Sequence, residues 1–258
     1  MENRTLMGAE TMIRMKIPST LTSFARRGRH ALPILFGGAA FLGLALYLVP
    51  CVTGAKALNA DDYGRAKIPA VNGVLQRMEP GFVLLAGDSH MELYGTPALA
   101  CGKAVANVGV SGVGVRFYSG FVDQIAVPAK PSVAVLTIGT NDLLRKKRPT
   151  SDATRTRWEE DARKVVVALR GMAPKVVVNA VPPIGESLDK VIDSDGVKVY
   201  SDVLSGICSA VQGCVYKDPF AKVRSFKFGI ARPGTMSDEL HLANYRRAYS
   251  SLDDELCR

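Results

Sequence analysis

The chain has 258 residues, 47% hydrophobic and 22% charged, which suits one substantial folded domain with an appendage and gives no sign of two cores. Its net charge of +9 comes partly from the first thirty residues, where Arg4, Arg14, Lys16, Arg26, Arg27 and Arg29 face only Glu2 and Glu10. That excess does not point to nucleic acid, since no binding motif or aromatic series accompanies it. With His30, His90 and His241 the only histidines, and no cysteine cluster at ligand spacing, the chain is expected to hold no metal and no cofactor.

In chain order, residues 1–30 form a basic tail. Residues 31–49 then carry no charged side chain, and a helix of that length reaches ~28 Å, close to a hydrocarbon core. This predicts one N-terminal transmembrane helix, a signal anchor over 31–50. The basic residues on its amino side keep the tail cytoplasmic and place the remainder outside the inner membrane, on the periplasmic or extracytoplasmic side. A second reading is a cleaved secretory signal ending at Ala55-Lys56-Ala57, which would leave the protein secreted. Pro50 stands where a lipoprotein signal would carry a small residue before Cys51.

Residues 51–81, with Asp61, Asp62, Gly64, Pro69 and Pro80, read as a linker and a short amphipathic helix, and the main domain is expected over 82–258. Strand-like runs fall at 82–86, 104–108, 132–138, 175–181 and 213–216, and helical patterns at 116–125, 151–172, 197–211 and 241–256. Strands alternating with helices predict an α/β fold, a three-layer α/β/α sandwich around a five-stranded, mainly parallel sheet of the flavodoxin-like kind. Of the five cysteines, Cys208 and Cys214 can close a small loop, and Cys101 and Cys257 can pair if the fold brings them together. Cys51 is then left over.

Chemistry is suggested where apolar runs end. The run ending at Ala86 stops in Gly87-Asp88-Ser89-His90, which sets a serine just past a buried strand, where open α/β sheets form their ligand crevice. Far along the chain Asp238 precedes His241 by three residues, a spacing that lets a carboxylate orient an imidazole, as serine chemistry requires. Asp238 can equally cap a helix starting at His241, and the two roles are compatible. Gly112 and Asn141 follow two further strand-like runs, within Val110-Ser111-Gly112 and Gly139-Thr140-Asn141-Asp142. The nucleophile elbow of α/β-hydrolases would need glycine at position 91, which is Met91, and Gly109, Gly112 and Gly114 fit neither a dinucleotide nor a phosphate loop.

Taken in order, these four blocks resemble those of the SGNH hydrolases, also called GDSL esterases and lipases, over about 82–256. The resemblance implies Ser89 as nucleophile, His241 as general base and acid, and Asp238 as the acid behind it. It also implies an oxyanion hole made by the backbone N–H of Ser89 and Gly112 and the side-chain amide of Asn141. His90 stands where the family's name expects leucine, and similar sequences with histidine there occur in domains acting on cell-surface glycans.

The function expected is a membrane-tethered, exported serine esterase. It would remove small acyl groups, acetyl first among them, from an envelope or extracellular glycan. Other readings are an acyltransferase to a sugar hydroxyl, a lipase or thioesterase, and a non-catalytic glycan-binding or assembly protein. The expected partners are an acylated glycan or other ester substrate and the membrane, with oligomeric state left open. The basic run Arg145-Lys146-Lys147-Arg148, just after the Asn141 block, reads as either a solvated face or an attractor for an anionic polymer or lipid headgroup surface.

Overall fold

In the computed structural model, the chain is described over residues 59–99 and 101–258. The predicted tail, the membrane span at 31–50, the cleavage site at Ala57 and Cys51 lie outside the described residues. Among the described residues, no helix is long and apolar enough to cross a membrane.

Five strands form the sheet: β1 (Val83–Gly87), β2 (Val105–Asn107), β3 (Val133–Thr137), β4 (Val176–Asn179) and β5 (Cys214–Lys217). They lie in the order β2-β1-β3-β4-β5, and every pairing is parallel. Parallel strands buried on both faces need continuous apolar sequence, and Val83–Gly87 and Val133–Thr137 are buried at every position. Successive residues point to opposite faces. Leu84, Ala86, Leu136 and Val178 therefore enter one apolar cluster while Val83, Leu85, Val135 and Val177 enter the other.

Helices α1 (Ala60–Leu75), α3 (Val115–Val122), α4 (Asp152–Met172) and α5 (Ser194–Ala210) supply side chains to the first cluster. The opposite face is covered by Met91 of α2 (Ser89–Tyr94) and by the C-terminal α6 (Tyr245–Tyr249) and α7 (Asp253–Cys257). The sheet is thus enclosed between two layers, and the strand order reverses beside β1, the place where open α/β sheets take ligands at their carboxyl edge.

Three elements differ from the sequence expectation. The helix expected over 241–256 is two short helices joined by a 3-10 turn at Ser250–Leu252, and it begins only at Tyr245. Asn244 caps that start by accepting from the Arg247 N–H, so Asp238 caps nothing there. The apolar spacing was continuous because Leu242, Tyr249, Leu252 and Leu256 all reach one cluster, but a tight turn at residues 237–241 takes His241 out of the helix. The segment Ser89–Tyr94, outside the expected helical patterns, is helical with Asp88 as its N-cap. Finally, α1 is not merely an appendage: Val71 and Leu75 are buried in the core, so the folded unit starts before residue 82.

Among the described residues two disulfides close the structure, Cys208–Cys214 and Cys101–Cys257, with sequence separations of 6 and 156. Loop-closure entropy grows with the logarithm of loop length, giving ~2 kcal/mol for the short bridge and ~5 kcal/mol for the long one. Replacing Cys101 and Cys257 together by alanine is therefore expected to lower the denaturant midpoint more than replacing Cys208 and Cys214. The opposite order would refute this account of what the bridges contribute.

Candidate active site

The site is built at the carboxyl ends of β1, β2 and β3. Gly87 ends β1 at φ +137, and a side chain there would run into the Thr137 carbonyl of the neighbouring strand. The chain can then turn at once into α2, where the Asp88 carboxylate accepts from the His90 N–H at 3.0 Å. Ser89 is thereby set at the first helical position, only 3% exposed.

Past β2, the Asn107 side chain ties the next loop to α2, donating to the carbonyls of Met91 at 2.7 Å and Gly95 at 2.6 Å. Its oxygen accepts from the Gly109 N–H at 2.9 Å. Gly112, at φ +80, follows in this loop. Past β3, Gly139 at φ +126 leads into a 3-10 turn at Thr140–Asp142. The Asn141 amide donates to the Val113 carbonyl at 3.0 Å, and Asp142 accepts from the Val115 N–H at 2.9 Å. The glycine and asparagine loops are thus latched together. An amide nitrogen has two protons, so the bond to Val113 fixes the Asn141 plane and leaves one N–H to offer.

His241 arrives from the other end of the chain. Its Nε2 lies 3.0 Å from Ser89 Oγ, and its Nδ1 lies 2.8 Å from Asp238 Oδ2. The other Asp238 oxygen accepts from the backbone N–H of His241 at 2.7 Å and of Leu240 at 3.2 Å. Partial burial pushes the Asp238 carboxyl up, but the bonds from the His241 ring and backbone outweigh it and hold the group below its ordinary value. An ionised carboxylate only accepts, so Nδ1 carries the proton and Nε2 presents its lone pair to the serine. An imidazole so placed can take the Ser89 proton, and the carboxylate behind it can stabilise the resulting cation.

Ser89, His241 and Asp238 therefore meet, with the Gly112 and Asn141 loops beside the strand that carries Ser89. The sequence did not single out Asn107, and it gave no function to Tyr245. Asn107 had a legible signal, a side chain able to fold back on a turn just past a strand. Tyr245 OH lies 3.3 Å from Nδ1 of His90, whose ring centroid is 5.5 Å from that of His241. His90 is fully buried, and burial together with the neighbouring His241 lowers its pKa to about 3, so it is neutral.

In the basic run, Arg145 is paired with Asp189 at 2.7 Å and Asp193 at 3.6 Å. Lys147 reaches the Asn141 carbonyl at 3.4 Å, so the run is partly tied into the fold rather than a free cationic patch. Among the described residues no group of three or more His, Cys, Asp or Glu side chains could hold a metal ion.

No protein-family model matches the chain, and no curated protein matches it in sequence. Solved structures do match. A protein from Streptococcus pneumonia described as a candidate platelet activating factor aligns with a TM-score of 0.64 at 18% identity, over 75% of this chain and 92% of that one. A GDSL-like lipase from Bacteroides thetaiotaomicron aligns at 0.54 and 14% identity, over 76% and 95%. An acetylxylan esterase from Geobacillus stearothermophilus, solved as a catalytic mutant, aligns at 0.51 and 15% identity, over 70% and 96%. The chain has the SGNH, or GDSL, hydrolase fold.

Asp88 gives a test that does not depend on activity. Its carboxyl is fully buried, one oxygen lacks a hydrogen-bond partner, and burial, with Asp142 nearby, pushes its pKa up to about 7. A raised folded pKa means that the stability tied to the neutral form is complete below the unfolded value near 4 and is lost as pH rises through 7. Asp88→Asn keeps the cap without the charge. Its melting temperature relative to wild type is expected to climb between pH 5 and pH 8, and a difference independent of pH would contradict this assignment.

Proposed function

We propose that the protein is a serine ester hydrolase working through an acyl-enzyme on Ser89. The observation that carries this reading is the unbroken contact from Asp238 through His241 to Ser89. Ser89 Oγ attacks the ester carbonyl as His241 Nε2 takes its proton. The oxyanion is met by the N–H groups of Ser89 and Gly112 and by the Asn141 amide. His241 returns the proton to the leaving alcohol, and water, activated by the same imidazole, releases the acid. Each oxyanion donor is worth roughly 3 kcal/mol in such a step.

The finer reading is a membrane-tethered, exported enzyme that removes small acyl groups, chiefly acetyl, from an envelope or extracellular glycan. Its support is of three kinds. The apolar stretch at 31–49 follows a basic head. Two disulfides suit an oxidising compartment. Acetylxylan esterases stand among the proteins of similar fold.

A series of aryl esters of increasing chain length, assayed with the full-length protein and with Ser89→Ala, tests the reaction and the acyl preference together. Turnover should be highest on acetate and fall steeply beyond it, and Ser89→Ala should lower kcat by ~10³-fold or more. Equal turnover in the alanine variant would remove Ser89 from its role.

A further inference from the structure

Glu92 stands one turn after Ser89 on α2 and takes no part in the chemistry above. Its carboxylate collects three donors: Tyr63 OH at 2.5 Å, Lys67 Nζ at 2.6 Å and the backbone N–H of Ser111 at 2.5 Å. Lys67 also donates to the Gly109 carbonyl at 2.7 Å. Gly109 lies so close to the Glu92 backbone that a side chain at 109 would overlap it. Burial pushes Glu92 up, yet the three donors prevail and hold it below its ordinary value, so the carboxylate is charged.

A solvated lysine–glutamate pair would mean little. This one is mostly buried, with both side chains 22% exposed, and its second oxygen grips a loop backbone. The residue gripped immediately precedes Gly112, which sits at φ +80, and a glycine there has other conformations open to it. A rotated 111–112 peptide would turn the Gly112 N–H away from the oxyanion.

We infer that Glu92 is a positioning residue for the oxyanion hole, and that Lys67 and Tyr63 hold it in place, which makes α1 part of the active-site apparatus. This rests on Ser89 being the esterase nucleophile. One carboxylate fixes the nucleophile's helix, the glycine loop and the helix that follows the N-terminal segment in a single arrangement, so any shift of α1 is felt at the Gly112 N–H.

The test uses the full-length protein with Glu92→Ala, Glu92→Gln and Lys67→Met. Two quantities are measured: kcat and KM on a small aryl acetate, and hydrogen exchange at the Ser111 amide. Loss of an oxyanion donor costs ~10²–10³ in kcat, so misdirecting one in Glu92→Ala should lower kcat roughly 10- to 100-fold with KM within about twofold. Glu92→Gln should recover part of the loss, Lys67→Met should fall between, and Ser111 exchange should quicken in Glu92→Ala. A rise in KM with kcat unchanged, or kcat within about twofold of wild type, would overturn the inference. Should Glu92→Ala not fold, unchanged kcat in both other variants overturns it equally. A wild-type chain without esterase activity defeats the reading of Ser89, whereas unchanged Ser111 exchange in Glu92→Ala defeats the brace itself, so the two failures are told apart.

Discussion

The 3.0 Å contact between His241 Nε2 and Ser89 Oγ joins residues 152 apart in sequence, and most of the C-terminal architecture serves to hold it. An imidazole on a free loop would spend its time in solvent. Here a bridge between Met236 and Leu242 and the Ser237 N–H to the His241 carbonyl at 2.8 Å close a tight turn around Asp238 and His241. Leu242, Tyr249, Leu252 and Leu256 then anchor the segment in the second apolar cluster, and Cys257 is bonded to Cys101. The short helices after Asn244 form a strap over one face of the sheet, with the histidine at its leading end.

The serine end is fixed by different means. Glycine at 87 lets the chain leave the strand where no side chain would fit, and Asp88 starts a helix at once. The cost is a buried carboxyl with one unpartnered oxygen, two residues from a buried neutral histidine, and burial disfavours the charged form of each. Such concentrations of unfavourable burial are common where a fold is arranged for chemistry. The latches from Asn107, Asn141 and Asp142 make the three strand-end loops one rigid rim, the preorganisation that an oxyanion site needs.

Much of this was legible in the sequence, because parallel strands announce themselves as unbroken apolar runs, and each of the five expected strands overlaps an observed one. The contact from Ser89 through His241 to Asp238 was legible because Ser89 follows a strand end and Asp238 stands three residues before His241. What escaped was set by tertiary contacts. Apolar spacing at 241–256 matched a single helix, but spacing records which side chains are buried and not whether the backbone between them is continuous. The place of α1 in the core was hidden by Pro69 and by polar residues whose partners, Glu92 and the Gly109 carbonyl, lie 25 and 42 residues away. No local pattern encodes such a brace.

Convergence of strand ends, glycine loop and C-terminal strap would let Ser89 attack a carbonyl whose oxygen is already met by donors. A crystal structure of the protein after reaction with a small organophosphonate addresses it most directly. Phosphorus is expected on Ser89 Oγ, with the phosphoryl oxygen within hydrogen-bond distance of the Gly112 N–H and the Asn141 amide, and His241 still against Asp238. Phosphorus on another residue, or a phosphoryl oxygen turned away from both donors, would contradict it.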